Sequence, residues 1–180
     1  MKPIVSVPNP VLTSPAATVT SFDKKLAGII ADMKETLIAT TNPKGVGLAA
    51  TQIGLGLRIF VTRPTEKSEI RVFINPEIIS TSQDLTDGVP GRGNKLEGCL
   101  SIPNVWGKVK RQTHVTLRYQ DESGDMKQEE FTGFMATIVQ HETDHLGGIL
   151  YTQRVIEQKE KLYQVVEEDG KEVLEEIKIA

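Results

Sequence analysis

The chain has 180 residues, a mass of 19.8 kDa, a net charge of −3 and a sequence pI of 5.7, which suits one globular domain. Its 38% hydrophobic and 25% charged residues argue against disorder, and no apolar run approaches the roughly 20 residues of a membrane span. The weak acidity speaks against specific nucleic-acid binding, and a single cysteine, Cys99, excludes an internal disulfide framework.

The opening Met1–Pro8 lacks both the apolar stretch and the cleavage site of a secretory signal, and it is poor in Arg and Ser; a cytoplasmic location is the expectation. Val19–Ile38 reads as a first helix, capped by Thr20 or Ser21, with Phe22, Leu26, Ile29, Ile30, Met33 and Leu37 as an apolar stripe. Thr41–Gly45 breaks it. Gly45–Gly54 is Gly-rich but lacks the Gly-Lys-Ser/Thr of a phosphate loop, and Ala50 stands where GxGxxG needs its last glycine. On its own this segment is equally a tight turn or a place where backbone nears a ligand, with the Gln52 amide available to an oxyanion.

Arg58–Thr62, Arg71–Asn75, Thr113–Tyr119 and Met126–Phe131 read as strands, the last two joined through Asp121–Gly124. His114 opens one of them and reads as structural. Phe134, Met135, Ile138, Val139 and Leu146 recur at roughly helical spacing, and Gly147-Gly148 stops the run, so a helix is expected over Phe134–Leu146. In the tail, Asp169-Gly170 between β-prone runs favours a hairpin over a charged helix. Eight acids against four lysines over Glu157–Ala180 mark a solvated face.

Two of the three histidines fall in His141-Glu142-Thr143-Asp144-His145, an HExxH whose chance occurrence in such a composition is about 0.004. On a helix, residues i and i+4 share a face, so both imidazoles can hold one metal ion. Glu142 then lies beside the metal without being a ligand. A third ligand is needed. Glu167 and Glu168 are far enough downstream but lie in the charged tail, and no His follows His145. The remaining soft ligand is Cys99, in Glu97-Gly98-Cys99-Leu100-Ser101; alone it would read as a small buried hydrophobe, and the missing ligand raises its standing.

Taken together, Gly45–Gln52 (GxGxAAxQ), Glu97–Ser101 (EGCxS) and Gln140–His145 (QHExDH) resemble the peptide deformylase family. The similarity covers about residues 1–155. Thr51 stands where that family often has Pro, Trp106 where many members have a basic or small residue, and the Ser80–Lys95 loop is longer than in the shortest members. The resemblance implies an α+β fold over residues 1–180, one domain of mainly antiparallel strands around a central helix carrying HExxH, with an N-terminal helix. Residues from about 156 to 180 form its variable tail.

It further implies one divalent metal ion, held by Cys99, His141 and His145, with Fe(II) expected first and Zn(II) able to take the same ligands. Glu142 would move the proton in hydrolysis of an N-formyl group, and the Gln52 side chain and Leu100 backbone N–H would stabilise the oxyanion. Val46, Ile138 and Trp106 are the candidates for an apolar methionine pocket, with Gly47, Glu97 and Gly98 also on the substrate side. The implied partners are N-formyl-methionyl nascent peptides, and the ribosome near its exit tunnel, with neither membrane nor specific nucleic acid. The rival readings are a zinc endopeptidase, which lacks a convincing downstream ligand, and a non-catalytic metal-binding or ribosome-docking module, which needs neither Glu142 nor Gln52.

Overall fold

The computed structural model describes residues 1–178; the last two positions of the expected tail, 179–180, lie outside the described residues. Helix α1 runs Lys24–Ala39, several residues later than the sequence spacing suggests. The reason is the cap: Asp23, rather than Thr20 or Ser21, accepts a hydrogen bond from the Leu26 N–H at 2.9 Å, which satisfies a free amide of the first turn. Leu26, Ile30, Met33 and Leu37 are the buried stripe, while Phe22 stays outside the helix and is half-exposed.

Five antiparallel strands form the first sheet, in the order β1 (Gly47–Ala49), β2 (Ile59–Thr62), β3 (Arg71–Thr81), β6 (His114–Gln120), β7 (Met126–Thr132). The pleat sends alternate side chains to opposite faces. Ile59, Val61, Val72 and Ile74 pack with Leu48 against α1, whereas Phe60, Phe73, Val115, Leu117 and Phe131 face Ala136, Val139 and Leu146 of helix α2 (Gly133–Leu146). The sheet is therefore covered on one face by α1 and on the other by the helix that carries HExxH. Strand β3 runs longer than its apolar core suggests because bulges near Asn75 keep it paired with β6; Asn75 has φ of 50° and its side chain bonds the Val19 backbone and Gln120.

The second sheet has the order β4 (Glu97–Cys99), β5 (Ile102–Gly107), β8 (Leu162–Glu168), β9 (Lys171–Glu176). Its inner face meets helix α3 (Tyr151–Glu157) around Cys99, Ile102, Val109, Tyr151, Val155 and Leu162. Strands β8 and β9 make the tail hairpin, turning at Asp169-Gly170 with both residues at positive φ. Three-residue β1 and β4 were too short to show as alternating patterns, and neither they, β5 nor α3 had a sequence signature.

Candidate active site

Helix α2 turns one face to the first sheet and the other to the end of β4. His141 and His145 share that second face, their ring centroids 4.9 Å apart. Cys99 closes β4, and its Sγ lies 3.2 Å from His145 Nε2. The possible ligand atoms of Cys99, His141 and His145 all lie within 4.8 Å of one another. Glu167 and Glu168, the downstream alternatives, are exposed on β8 near the hairpin turn. A cysteine sulfur and two imidazoles converging on one point, with the sulfur and both rings largely buried, is a donor set that fits Zn(II) or Fe(II), whose bonds to such ligands run about 2.0–2.3 Å for zinc.

The other ring nitrogen of His141 is held. Nδ1 lies 2.5 Å from Glu97 Oε1, which leaves Nε2 for the metal position. Arg111 grips the same carboxylate with two bonds, Nε to Oε2 at 2.9 Å and Nη2 to Oε1 at 2.6 Å. Its third nitrogen reaches Asp144 Oδ2 at 2.9 Å, and Asp144 also accepts from Arg154 at 2.7 Å. Burial opposes the charge on Glu97, but Arg111 and His141 outweigh it and hold the carboxyl well below the usual carboxylate range. Glu97 was expected on the substrate side. It does line the cavity, but its carboxylate is engaged by Arg111 and His141.

Glu142 is buried beside this centre, and its Oε2 has no protein partner. Burial pushes its carboxyl up to about 7, the range in which a group both takes and returns protons near neutrality. Strand β1 passes so close that a Cβ at Gly47 would overlap the Glu142 carboxylate and force it to move; glycine lets the carboxylate keep this position.

The Gly-rich segment resolves into strand β1 followed by a 3-10 turn, Ala50–Ile53. This turn carries Gln52 into the interior, where it is 1% exposed. The Ala49 N–H donates to Gln52 Oε1 at 2.9 Å, so the amide nitrogen must face the other way. There Nε2 lies 3.3 Å from Cys99 Sγ and 3.3 Å from Ser101 Oγ.

These groups border one cavity of about 230 Å³, lined by Gln52, Cys99, Leu100, His141 and Glu142. Val46, Gly47, Gly98, Trp106 and Ile138, the other expected substrate-side residues, lie in the same lining. Trp106 lies over Gly98, where a Cβ would strike the indole at 2.6 Å. His145 sits behind the cavity, and His114 is exposed on β6, bonded to Thr113. Sequence reading missed Arg111, Asp144 and Arg154. Arg111 ends the basic run Lys108–Arg111 and looks solvated, yet it is 5% exposed. The available signal was Asp144, an acid inside the HExxH segment that needs a buried cation.

The family model described as polypeptide deformylase matches residues 1–161. The chain belongs to the polypeptide deformylase family. It is 39% identical over 176 residues to the peptide deformylase of Pseudothermotoga lettingae, covering 95% of each chain. It is 41% identical over 155 residues to peptide deformylase 1 of Bacillus subtilis, covering 86% of this chain and 90% of that one. Among solved structures it is similar to the class I type b peptide deformylase from Acinetobacter baumannii bound to Met-Ala-Ser. The TM-score is 0.76 at 32% identity, covering 86% of this chain and 98% of that one. The chain is thus a hydrolase of the deformylase type, with a metal-dependent family chemistry and a possible metal site at Cys99, His141 and His145. No described helix is long and apolar enough to cross a membrane.

Proposed function

We propose that the whole chain works as one deformylase domain, removing the formyl group from N-formyl-methionine at the start of nascent polypeptides. Cys99, His141 and His145 would hold one divalent ion, Fe(II) first and Zn(II) as the alternative. Such an ion, when bound, supplies Lewis acidity and makes water acidic enough to act as a nucleophile near neutral pH. The observation that carries the reading is the buried Glu142 carboxylate, whose Oε2 has no protein partner, beside the Cys99–His141–His145 cluster.

Glu142 takes the proton of the attacking water as its oxygen bonds to the formyl carbon. The Gln52 amide, its direction fixed by Ala49 N–H, and the Leu100 N–H donate to the oxyanion that develops. Glu142 then returns the proton to the leaving amine as the C–N bond breaks, giving formate and a free N-terminus. Strands β1 and β4 are each an edge of their sheet and both border the cavity, which suits an extended peptide pairing with backbone at Gly47 and Gly98. Val46, Ile138 and Trp106 supply the apolar wall for the methionine side chain. The Met-Ala-Ser complex of the Acinetobacter baumannii relative, a peptide of the kind that deformylation leaves, supports this substrate. Nascent chains as substrates make the cytoplasm, near the ribosomal exit tunnel, the place of action.

The test is formate release from formyl-Met-Ala-Ser by protein loaded with Fe(II), Co(II) or Zn(II). Release that depends on the metal is expected. No release with any of the three, from folded and metal-loaded protein, would overturn the reading.

A further inference from the structure

The cavity is small for a peptide site, about 230 Å³ against the several hundred cubic ångströms usual for ligand pockets. It encloses only a short part of a peptide, so the residues after the formyl-methionine lie at its rim. The charged side chains in the lining are largely committed. Glu97 is paired with Arg111, and Lys44 with Glu66 at 2.8 Å. Among the described residues Arg92 is the cation that stands apart: it lines the cavity and has no carboxylate within ion-pair distance. Its guanidinium makes one long bond, 3.4 Å to the Leu96 carbonyl.

Arg92 is also placed. It sits in the loop between β3 and β4, which closes on itself through Val89 N–H to the Lys95 carbonyl at 3.0 Å and is tied down by Lys95 to Asp87 at 2.8 Å. The guanidinium carbon stands 5.6 Å from the centroid of Phe134, a contact that orients a cation without neutralising it. Phe134 is the second residue of α2, whose N-cap Thr132 makes no side-chain capping bond and whose first turn holds no acid. The positive end of that helix therefore adds to the potential of Arg92.

We propose that Arg92 is a specificity-determining residue that pairs with an acidic side chain at the residue following the formyl-methionine. The proposal rests on the deformylase reading above and adds a substrate preference to it. A guanidinium half-removed from water, with an aromatic plate beneath it and no internal partner, gains most from a carboxylate that arrives with the peptide.

The test compares kcat/KM for formyl-Met-Glu-Ser and formyl-Met-Gln-Ser, nearly equal in shape and different in charge. The parent protein is expected to prefer the Glu peptide by roughly 3–10-fold at low salt, through KM, shrinking as salt rises. Arg92→Gln should abolish the preference, Arg92→Lys should retain part of it, and Arg92→Glu should turn it toward formyl-Met-Lys-Ser. An Arg92→Gln protein with the same Glu-over-Gln ratio as the parent, or a parent with no such preference, overturns the role of Arg92 and leaves the deformylase reading standing. Failure of the metal-loaded parent on every formyl peptide overturns both.

Discussion

Two residues in contact set the chemistry at the smallest scale. Glu142 is buried by α2 on one side and by β1 on the other, and the missing Cβ of Gly47 is the space that its carboxylate fills. Gly47→Ala should displace that carboxylate while leaving Cys99, His141 and His145 in place. The expected outcome is at least a 10²-fold fall in kcat, the order set by a misplaced general acid–base group, with metal content unchanged by elemental analysis. Gln52 offers a second test. Its buried amide is fixed at the oxygen end by Ala49 N–H, so Gln52→Ala should lower kcat on the order of 10²–10³ with little change in KM. An unchanged kcat at matched metal content would reduce Gln52 to a strut under Cys99 and Ser101. The Gly47–Glu142 contact was not legible in the sequence, because it joins residues 95 positions apart and leaves no periodic trace.

At the scale of elements, α2 is where sequence and structure agree most closely, and the cause is local. The i, i+4 histidines, the apolar positions and the glycine stop all act within one helix, and the helix spans Gly133–Leu146 against an expected Phe134–Leu146. Strands β6 and β7 were legible for the same reason, their hairpin being contiguous. The charge network behind α2 was not. It links β4, the segment after β5, α2 and α3 through Glu97, Arg111, Asp144 and Arg154. Side chains that orient a ligand from behind are worth about 10–100-fold in metal affinity. Glu97→Gln removes the carboxylate that orients His141 and leaves buried Arg111 with Asp144 as its remaining acid. It should therefore weaken metal binding by about that factor, measured by competition with a chelator. The same substitution should cost stability, though less than the roughly 3–5 kcal/mol of a wholly uncompensated buried charge, since Arg111 keeps Asp144. Wild-type metal affinity in the variant would mean that His141 is oriented by its helix alone.

The whole molecule is built so that the site falls where two sheets approach. The first sheet brings β1 and α2, the second brings β4 with Cys99, and each contributes groups the other lacks. The tail hairpin, wholly beyond the 1–161 match to the family, is part of this frame. Strand β8 pairs with β5 at Val105, Trp106 and Gly107, and Leu162 is buried against Gly107 near Val155. Leu162→Ala should cost about 2–5 kcal/mol, read as a shift in urea midpoint. Leu174→Ala, on exposed β9, should change stability by no more than about 0.5 kcal/mol. A Leu162→Ala effect as small as that of Leu174→Ala would mean that the hairpin contributes nothing to the frame. The hairpin itself was legible from Asp169-Gly170, but its docking on β5 was not, because a strand's partner is chosen by tertiary packing.

The central claim is that Glu142 moves the proton at a metal centre held by Cys99, His141 and His145, and that the substrate is a formylated N-terminus. The most direct measurement is formate released per metal ion from formyl-Met-Ala-Ser by the parent and by Glu142→Gln, with both loaded to the same metal content. The account predicts equal metal binding and a loss of turnover of about 10²-fold or more in the variant, since an amide takes no proton from water. Near-parental formate release from the fully loaded Glu142→Gln protein would contradict it.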